Sequence, residues 1–116
     1  MKHISILIPL GACSLANIEG TQQIFNEVNS LCLEMGREQL FEVQLVGLEK
    51  ETSQRNGLFT INPDALISEV TKTDLIIIPA MFGDQAEIHK LNAAFVPWII
   101  EKYNNGAEVA SFCIGT

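Results

Sequence analysis

Four segments of the chain are rich in β-branched and other apolar residues, and they are predicted to be strands. They are His3–Leu10, Phe41–Leu48, Asp74–Ala80 and Ala107–Cys113. The first and third are continuous apolar runs, which is typical of parallel strands that are covered on both faces. The second alternates apolar and polar residues more regularly, so we place it nearer to an edge of the sheet.

Two of the connections between these strands have helical features. From Ile18 to Met35 the apolar residues recur on one stripe, as in an amphipathic helix, and Gly36 is suited to end that helix. Residues 64–70 are predicted to form a short helix, because Pro63 suits a first helical turn.

The connection before the last strand has a longer helical pattern, which runs from Ile88 to Lys102. Pro97 lies inside this pattern, and because proline has no backbone N–H we expect a break or a restart near Val96. Residues 57–61, after the second strand, have the composition of a small additional strand.

Strands and helices alternate along the chain, which predicts an α/β fold with a parallel sheet and right-handed crossovers. We predict a flavodoxin-like three-layer sandwich with the four strands in the order 2-1-3-4. The last strand is followed by only three residues, so its open edge and one of its faces need further cover. We therefore expect residues 1–116 to be the N-terminal part of a single domain, truncated after this strand. The alternative is a small four-stranded domain whose last strand is covered by a partner chain.

The acidic composition limits the partners that this segment itself can bind. Fourteen Asp and Glu against seven Lys and Arg give a net charge of −7 and a pI near 4.6, so we expect no basic face for nucleic acid. Hydrophobic residues at 47% and a mean hydropathy of +0.23 exclude a disordered protein. No apolar run reaches the roughly 18 residues of a membrane helix, and no signal peptide is recognisable. We expect a cytoplasmic protein without a membrane partner.

The cysteines and histidines do not have the spacing of a metal or disulfide framework. Cys13, Cys32 and Cys113 are irregularly spaced, and His3 and His89 are far apart. We predict no metal and no cofactor, and the loop at residues 10–14 lacks the hydroxyl-rich run that favours flavin phosphate. A redox pair between Cys13 and Cys113 stays an open alternative, because Cα geometry decides it.

Cys113 is the strongest candidate for chemistry, because it ends a strand and is followed by Ile114 and small residues. A cysteine on a tight turn between strand and helix projects its sulfur above the carboxyl edge of a sheet. The dipole of the following helix lowers the thiol pKa in such an arrangement. Since that helix is absent from this sequence, we do not expect an activated thiolate, and an inert strand cysteine is the alternative.

Three stretches of the sequence resemble a known family. ILIPLGACSLANIEGTQQIFNEVN, TDLIIIPAMFGD and GAEVASFCIGT resemble the ThiJ/PfpI superfamily, which has a class I glutamine amidotransferase-like fold. Within it they are most similar to the amidase-type N-terminal domain of AraC-family transcriptional regulators. The resemblance implies that the chain is a little over half of such a domain. It also implies that a DNA-binding helix-turn-helix region lies outside this chain.

The resemblance implies a site around Cys113, the reactive or ligand-facing cysteine of the family. The acidic residue that often faces this cysteine is replaced by Asn17, whose amide cannot act as a general base. The family's Pro-Gly-Gly reads Pro79-Ala80-Met81, which reshapes the place where backbone N–H groups approach a substrate oxyanion. Neither histidine of the chain matches the family's catalytic histidine.

These departures favour a non-catalytic domain that senses a small-molecule effector and forms a homodimer, with DNA bound only through the region outside the chain. We expect ligand-binding roles for six residues near this site, which are Cys13, Asn17, Ala80, Met81, Phe82 and Ile114. One alternative is a cysteine-dependent amidase, deglycase or glyoxalase-like enzyme that uses Cys113. Another is a flavodoxin-like fragment that binds no small molecule.

Overall fold

The computed structural model describes residues 1–54 and 56–112 of the chain. In chain order its elements are β1 (Lys2–Ile8), α1 (Leu15–Glu34), β2 (Phe41–Gly47), β3 (Thr52–Gln54), β4 (Phe59–Ile61), β5 (Ala65–Leu66), a 3-10 turn (Ile67–Glu69), β6 (Leu75–Ile78), α2 (Gln85–Leu91), α3 (Phe95–Asn104) and β7 (Glu108–Ser111). Five strands form a parallel sheet in the order β5-β2-β1-β6-β7. β3 and β4 form a separate antiparallel hairpin.

The sheet confirms the predicted α/β class, and β2-β1-β6-β7 is the predicted order 2-1-3-4. β1 is the central strand, between β2 and β6, and its side chains form part of the core on both faces of the sheet. Ile4, Ile6 and Ile8 pack in a cluster on the α1 side. Leu7 points the other way and packs in a second cluster with Trp98 of α3. The continuous apolar run of β1 therefore reflects cover on both faces of the sheet, as predicted.

Residues 64–70 do not form the predicted helix. Ala65–Leu66 pairs with β2 as the edge strand β5, and the next three residues make a single 3-10 turn. Asp64 directs this pairing, because its carboxylate accepts the N–H of Leu45 at 2.7 Å and its own N–H donates to the carbonyl of Leu45 at 2.7 Å. β2 consequently lies one strand inside the edge.

The helical pattern before β7 is divided as predicted. The break lies at residues 92–94, and α3 restarts at Phe95, one residue before Val96. Pro97 is the third residue of α3, where the backbone N–H has no intrahelical partner to lose. Asn92 fixes the break, because its Oδ1 accepts the N–H of Leu10 at 2.7 Å and its Nδ2 donates to the Leu10 carbonyl at 3.0 Å.

α1 begins at Leu15, three residues before its predicted stripe, and ends where the sequence predicts. The Ser14 hydroxyl caps its first turn by accepting the N–H of Asn17 at 3.2 Å. Gly36 has a φ of 75° and follows the last turn. Its N–H donates to Leu33, and the next N–H donates to the carbonyl five residues back, which is a Schellman stop.

The apolar stripe of α1 is buried only in part. Phe25 packs against the sheet and meets Phe41 edge-to-face at a centroid distance of 4.9 Å. In contrast, Ile24, Leu31 and Met35 are 65%, 50% and 64% exposed. None of the helices in the described ranges, the 20-residue α1 included, is long and apolar enough to cross a membrane.

Candidate functional site

The loop after β1 and the loop after β6 are joined at the carboxyl edge of the sheet. A single antiparallel bridge pairs Cys13 with Met81. Two backbone hydrogen bonds flank this bridge, one from the N–H of Ser14 to the carbonyl of Ala80 (2.8 Å) and one from the N–H of Phe82 to the carbonyl of Ala12 (2.9 Å). Four of the residues for which a ligand-binding role is predicted therefore lie side by side.

Asn17 adds a side-chain bond between the first turn of α1 and the loop after β6. Its Oδ1 accepts the backbone N–H of Ala80 at 3.0 Å. The amide of Ala80 belongs to the motif in which the resemblance implies an oxyanion-binding N–H, and here a side chain already engages it. Asn17 thus supplies a neutral acceptor that holds the two loops together without adding a charge.

The thiol of Cys13 is shielded from solvent, with 2% of the residue exposed. Burial raises the pKa of this thiol to about 11, because the low-polarity surroundings disfavour the thiolate. The thiolate is the nucleophilic form, so Cys13 is poorly suited to attack a substrate near neutral pH. Its role at this edge is packing and pairing with Met81.

Gln54 of β3 fixes the loop that carries Cys13, and it is not among the residues predicted from the sequence. Its Oε1 accepts the N–H of Cys13 at 3.3 Å, and its Nε2 donates to the carbonyl of Gly11 at 2.7 Å. Gln54 is only 4% exposed. The polar sequence around it gives no sign of burial, since the role depends on a loop 41 and 43 residues away.

Two clefts flank the joined loops. One is lined by Cys13 and Phe82 together with the hairpin residues Ser53, Gln54 and Asn56. The other lies toward α2 and β7, has a volume of about 230 Å³, and is lined by Ala80 and Met81 with Gln85, His89 and Ser111. Four of the residues predicted to bind a ligand therefore line two different clefts, Cys13 and Phe82 the first and Ala80 and Met81 the second, and Asn17 lines neither.

Cys113 and Ile114 lie outside the described residues, so their predicted roles and the pairing of Cys113 with Cys13 stay predictions. Within the described ranges, no three His, Cys, Asp or Glu side chains gather closely enough to hold a metal ion. His3 lies near the start of β1, where its Nδ1 is 3.1 Å from a Glu42 carboxylate oxygen, away from the joined loops. His89 lines the cleft beside α2.

Comparison of the sequence finds no matching family model and no matching curated protein. Comparison of the structure finds similar solved structures. A proposed transcriptional regulator from Vibrio parahaemolyticus is 22% identical with a TM-score of 0.75, over 95% of this chain and 55% of that one. A mutant of a DJ-1 superfamily protein from Salmonella typhimurium is 16% identical with a TM-score of 0.63, over 96% and 55%.

An AraC family transcriptional regulator from Pseudomonas putida is 11% identical with a TM-score of 0.61, over 96% of this chain and 64% of that one. The chain thus spans 55% of the length of the first two solved structures named above. The order of the strands, the helices on both faces and these similarities agree with the resemblance inferred from the sequence. The chain has the flavodoxin-like α/β fold of the DJ-1/ThiJ/PfpI superfamily.

Proposed function

We propose that the chain is part of a small-molecule-sensing domain of a transcriptional regulator and that it does not catalyse a reaction. The observation that carries this proposal is the bond from the Ala80 N–H to Asn17. It occupies a backbone donor of the motif that an enzyme of this fold would direct at a substrate oxyanion. The similarity to structures of transcriptional regulators supports the same assignment.

The chemistry of the joined loops supports binding better than catalysis. Asn17 cannot exchange a proton near neutral pH, so the position of the family's acid has no general base. The raised pKa of Cys13 keeps its thiol neutral. What remains in the described residues is a pair of loops held together by hydrogen bonds between two clefts, and binding in those clefts needs neither a nucleophile nor a general base.

The net charge of −7 supports the view that DNA is bound by a region outside the chain. In this proposal the chain contributes effector binding and association with a second copy. The coding sequence after codon 116 tests the proposal. We expect an open frame that completes the α/β domain and continues into a basic helix-turn-helix region. A frame that stops at the end of the α/β domain would contradict the assignment as a regulator.

An activity assay tests the enzyme alternative directly. We expect the full-length gene product to consume methylglyoxal no faster than buffer does, and its Cys113→Ser variant to behave in the same way. Cys32→Ser, which changes a half-buried cysteine of α1, serves as the matched control. Turnover that is abolished by Cys113→Ser and preserved in Cys32→Ser would overturn the proposal in favour of a cysteine-dependent enzyme.

A further inference from the structure

An apolar cavity of about 150 Å³ lies between the sheet and the two helices α2 and α3. Its apolar walls include Leu7, Ile78, Ile88, Phe95, Val96 and Ile99. A space with apolar walls offers water few hydrogen-bond partners, and a volume of about this size is enough for a single six-membered ring. Filling it with apolar atoms restores contacts that its lining lacks.

The two polar side chains at the wall of this cavity are Asn92 and His89. Asn92 is fully engaged, because it bonds both backbone groups of Leu10 and also donates to the carbonyl of Ile88 at 3.0 Å. It therefore contributes structure rather than recognition. His89 is exposed on α2 and lies where the cavity opens toward the joined loops.

The cavity adjoins the cleft beside Ala80, since both are lined by Ile78, Met81, Ile88 and His89. The cleft adds Gln85 and Ser111, so its wall has neutral groups that both donate and accept hydrogen bonds. Together the two spaces have an apolar end and a polar, uncharged end. This division matches a ligand with an apolar body and one polar group.

The charge of the lining limits the ligand further. In the part of the chain that the structure describes, no Lys, Arg, Asp or Glu side chain lines either space. A cationic group there would lack an ionic partner, and an anionic group would have only His89, which is exposed on α2, so taking either out of water is costly. The lining therefore favours an uncharged polar group, such as a hydroxyl or a carbonyl.

Met81 separates the cavity from the cleft and contacts both. A methionine side chain is unbranched and adapts to occupants of different shape. Because Met81 also pairs with Cys13, an occupant that moves Met81 acts on both joined loops.

We propose that the cavity and the adjoining cleft bind a small uncharged molecule with an apolar ring or branched body and one hydroxyl or carbonyl group. This inference rests on the proposed function, in which such a molecule is the effector of the sensing domain. Its body fills the space between α3 and the sheet, and its polar group faces Gln85, His89 and Ser111.

NMR of methyl-labelled methionine tests this proposal, with cyclohexanol as the probe. The chain has three methionines. Met81 lines the cavity, whereas Met1 and Met35 are 66% and 64% exposed and report non-specific effects. We expect cyclohexanol to shift the Met81 methyl signal saturably while the other two signals stay in place. Cyclohexanecarboxylate, which has the same ring with a charged group, is expected to leave the Met81 signal unmoved at the same concentration.

Two variants of α3 provide a matched comparison. Val96 and Ile100 are each 54% exposed, but only Val96 lines the cavity. We expect Val96→Phe to fill the opening and weaken the apparent affinity for cyclohexanol by about tenfold or more, whereas Ile100→Phe retains it. Thermal melting of both variants verifies that they fold.

An unmoved Met81 signal, an equal response to the carboxylate, or an equal affinity of both phenylalanine variants would overturn the proposal. Cys113-dependent turnover of methylglyoxal together with cyclohexanol binding would refute the proposed function and leave the binding site intact. Absence of turnover without cyclohexanol binding would refute the site alone.

Discussion

The Oδ1 atom of Asn17 lies 3.0 Å from the backbone nitrogen of Ala80, a residue 63 positions later in the chain. This bond joins the start of α1 to the loop after β6, next to the bridge between Cys13 and Met81. The side chain thus occupies a backbone donor at a position where the resemblance implies an acidic residue. Its removal has consequences that can be measured.

We expect Asn17→Ala to lower the free energy of unfolding by about 1–2 kcal/mol, because the N–H of Ala80 loses its acceptor in a buried place. Asn17→Asp keeps an acceptor oxygen and is expected to cost less. Urea denaturation measures both changes. Asn26→Ala, at an exposed position of the same helix, is the control. Equal effects of Asn17→Ala and Asn26→Ala would show that the bond contributes nothing to stability.

The buried thiol of Cys13 predicts a loss of stability in alkali. Its folded-state pKa is raised to about 11 by burial, so the unfolded state releases the proton first as the pH rises. The neutral thiol makes its full contribution to the free energy of unfolding below about pH 8.5. This contribution, about 2–3 kcal/mol, is lost progressively as the pH rises toward about 11. We expect the difference in unfolding free energy between wild type and Cys13→Ala to shrink over this range. A constant difference would contradict the assignment.

From the hydrogen bond of Asp74 we predict that the free energy of unfolding falls in acid. Its carboxylate accepts the N–H of His3 at 2.7 Å, and this bond holds the pKa of Asp74 below its usual value. The contribution to stability is therefore present above about pH 4 and is lost as the pH falls through the folded-state pKa. We expect Asp74→Asn to lose less stability than wild type on acidification.

The matched control for Asp74 is Asp84→Asn, because the side chain of Asp84 makes no capping bond to α2. Urea denaturation at a series of acidic pH values compares the three proteins. An Asp84→Asn profile that is as flat as the Asp74→Asn profile would argue against a specific contribution of Asp74.

Two glycines predict opposite effects of the same substitution. A Cβ added at Gly47 would lie 2.5 Å from the Cγ of Pro63, so we expect Gly47→Ala to destabilise the protein. Gly20 is inside α1 and has nothing within 4 Å of an added Cβ. Because alanine has a higher helix propensity than glycine, Gly20→Ala is expected to raise the free energy of unfolding by about 0.5–1 kcal/mol. Thermal denaturation measures the direction of the change in melting temperature for each variant. A higher melting temperature for Gly47→Ala would show that Pro63 moves aside freely.

The central strands were predictable from the sequence because their environment imposes one pattern. β1 and β6 are covered on both faces, and residues His3–Leu10 and Asp74–Ala80 are accordingly apolar except at His3, Ser5 and Asp74. The predicted segments run past the observed strand ends, where Pro9 and Pro79 cannot donate to the ladder.

β5 was not predictable, because its pairing depends on Asp64 and Leu45, 19 residues apart, and not on local periodicity. Asn92 likewise ends α2 through bonds to Leu10, 82 residues away. Motif resemblance placed Asn17 and Ala80 in one site, but it did not reveal that they bond to each other. An amide side chain has many acceptable partners, so only the folded chain selects one.

α1 begins directly after Ser14, beside the bridge between Cys13 and Met81, and runs for 20 residues. At 1.5 Å per residue it is about 30 Å long. Its far half is fastened to the start of β2, because the side chain of Asn29 bonds the backbone of Leu40 and Phe41. The helix therefore ties the joined loops to the opposite edge of the sheet, and an occupant that rearranges these loops has to work against both attachments.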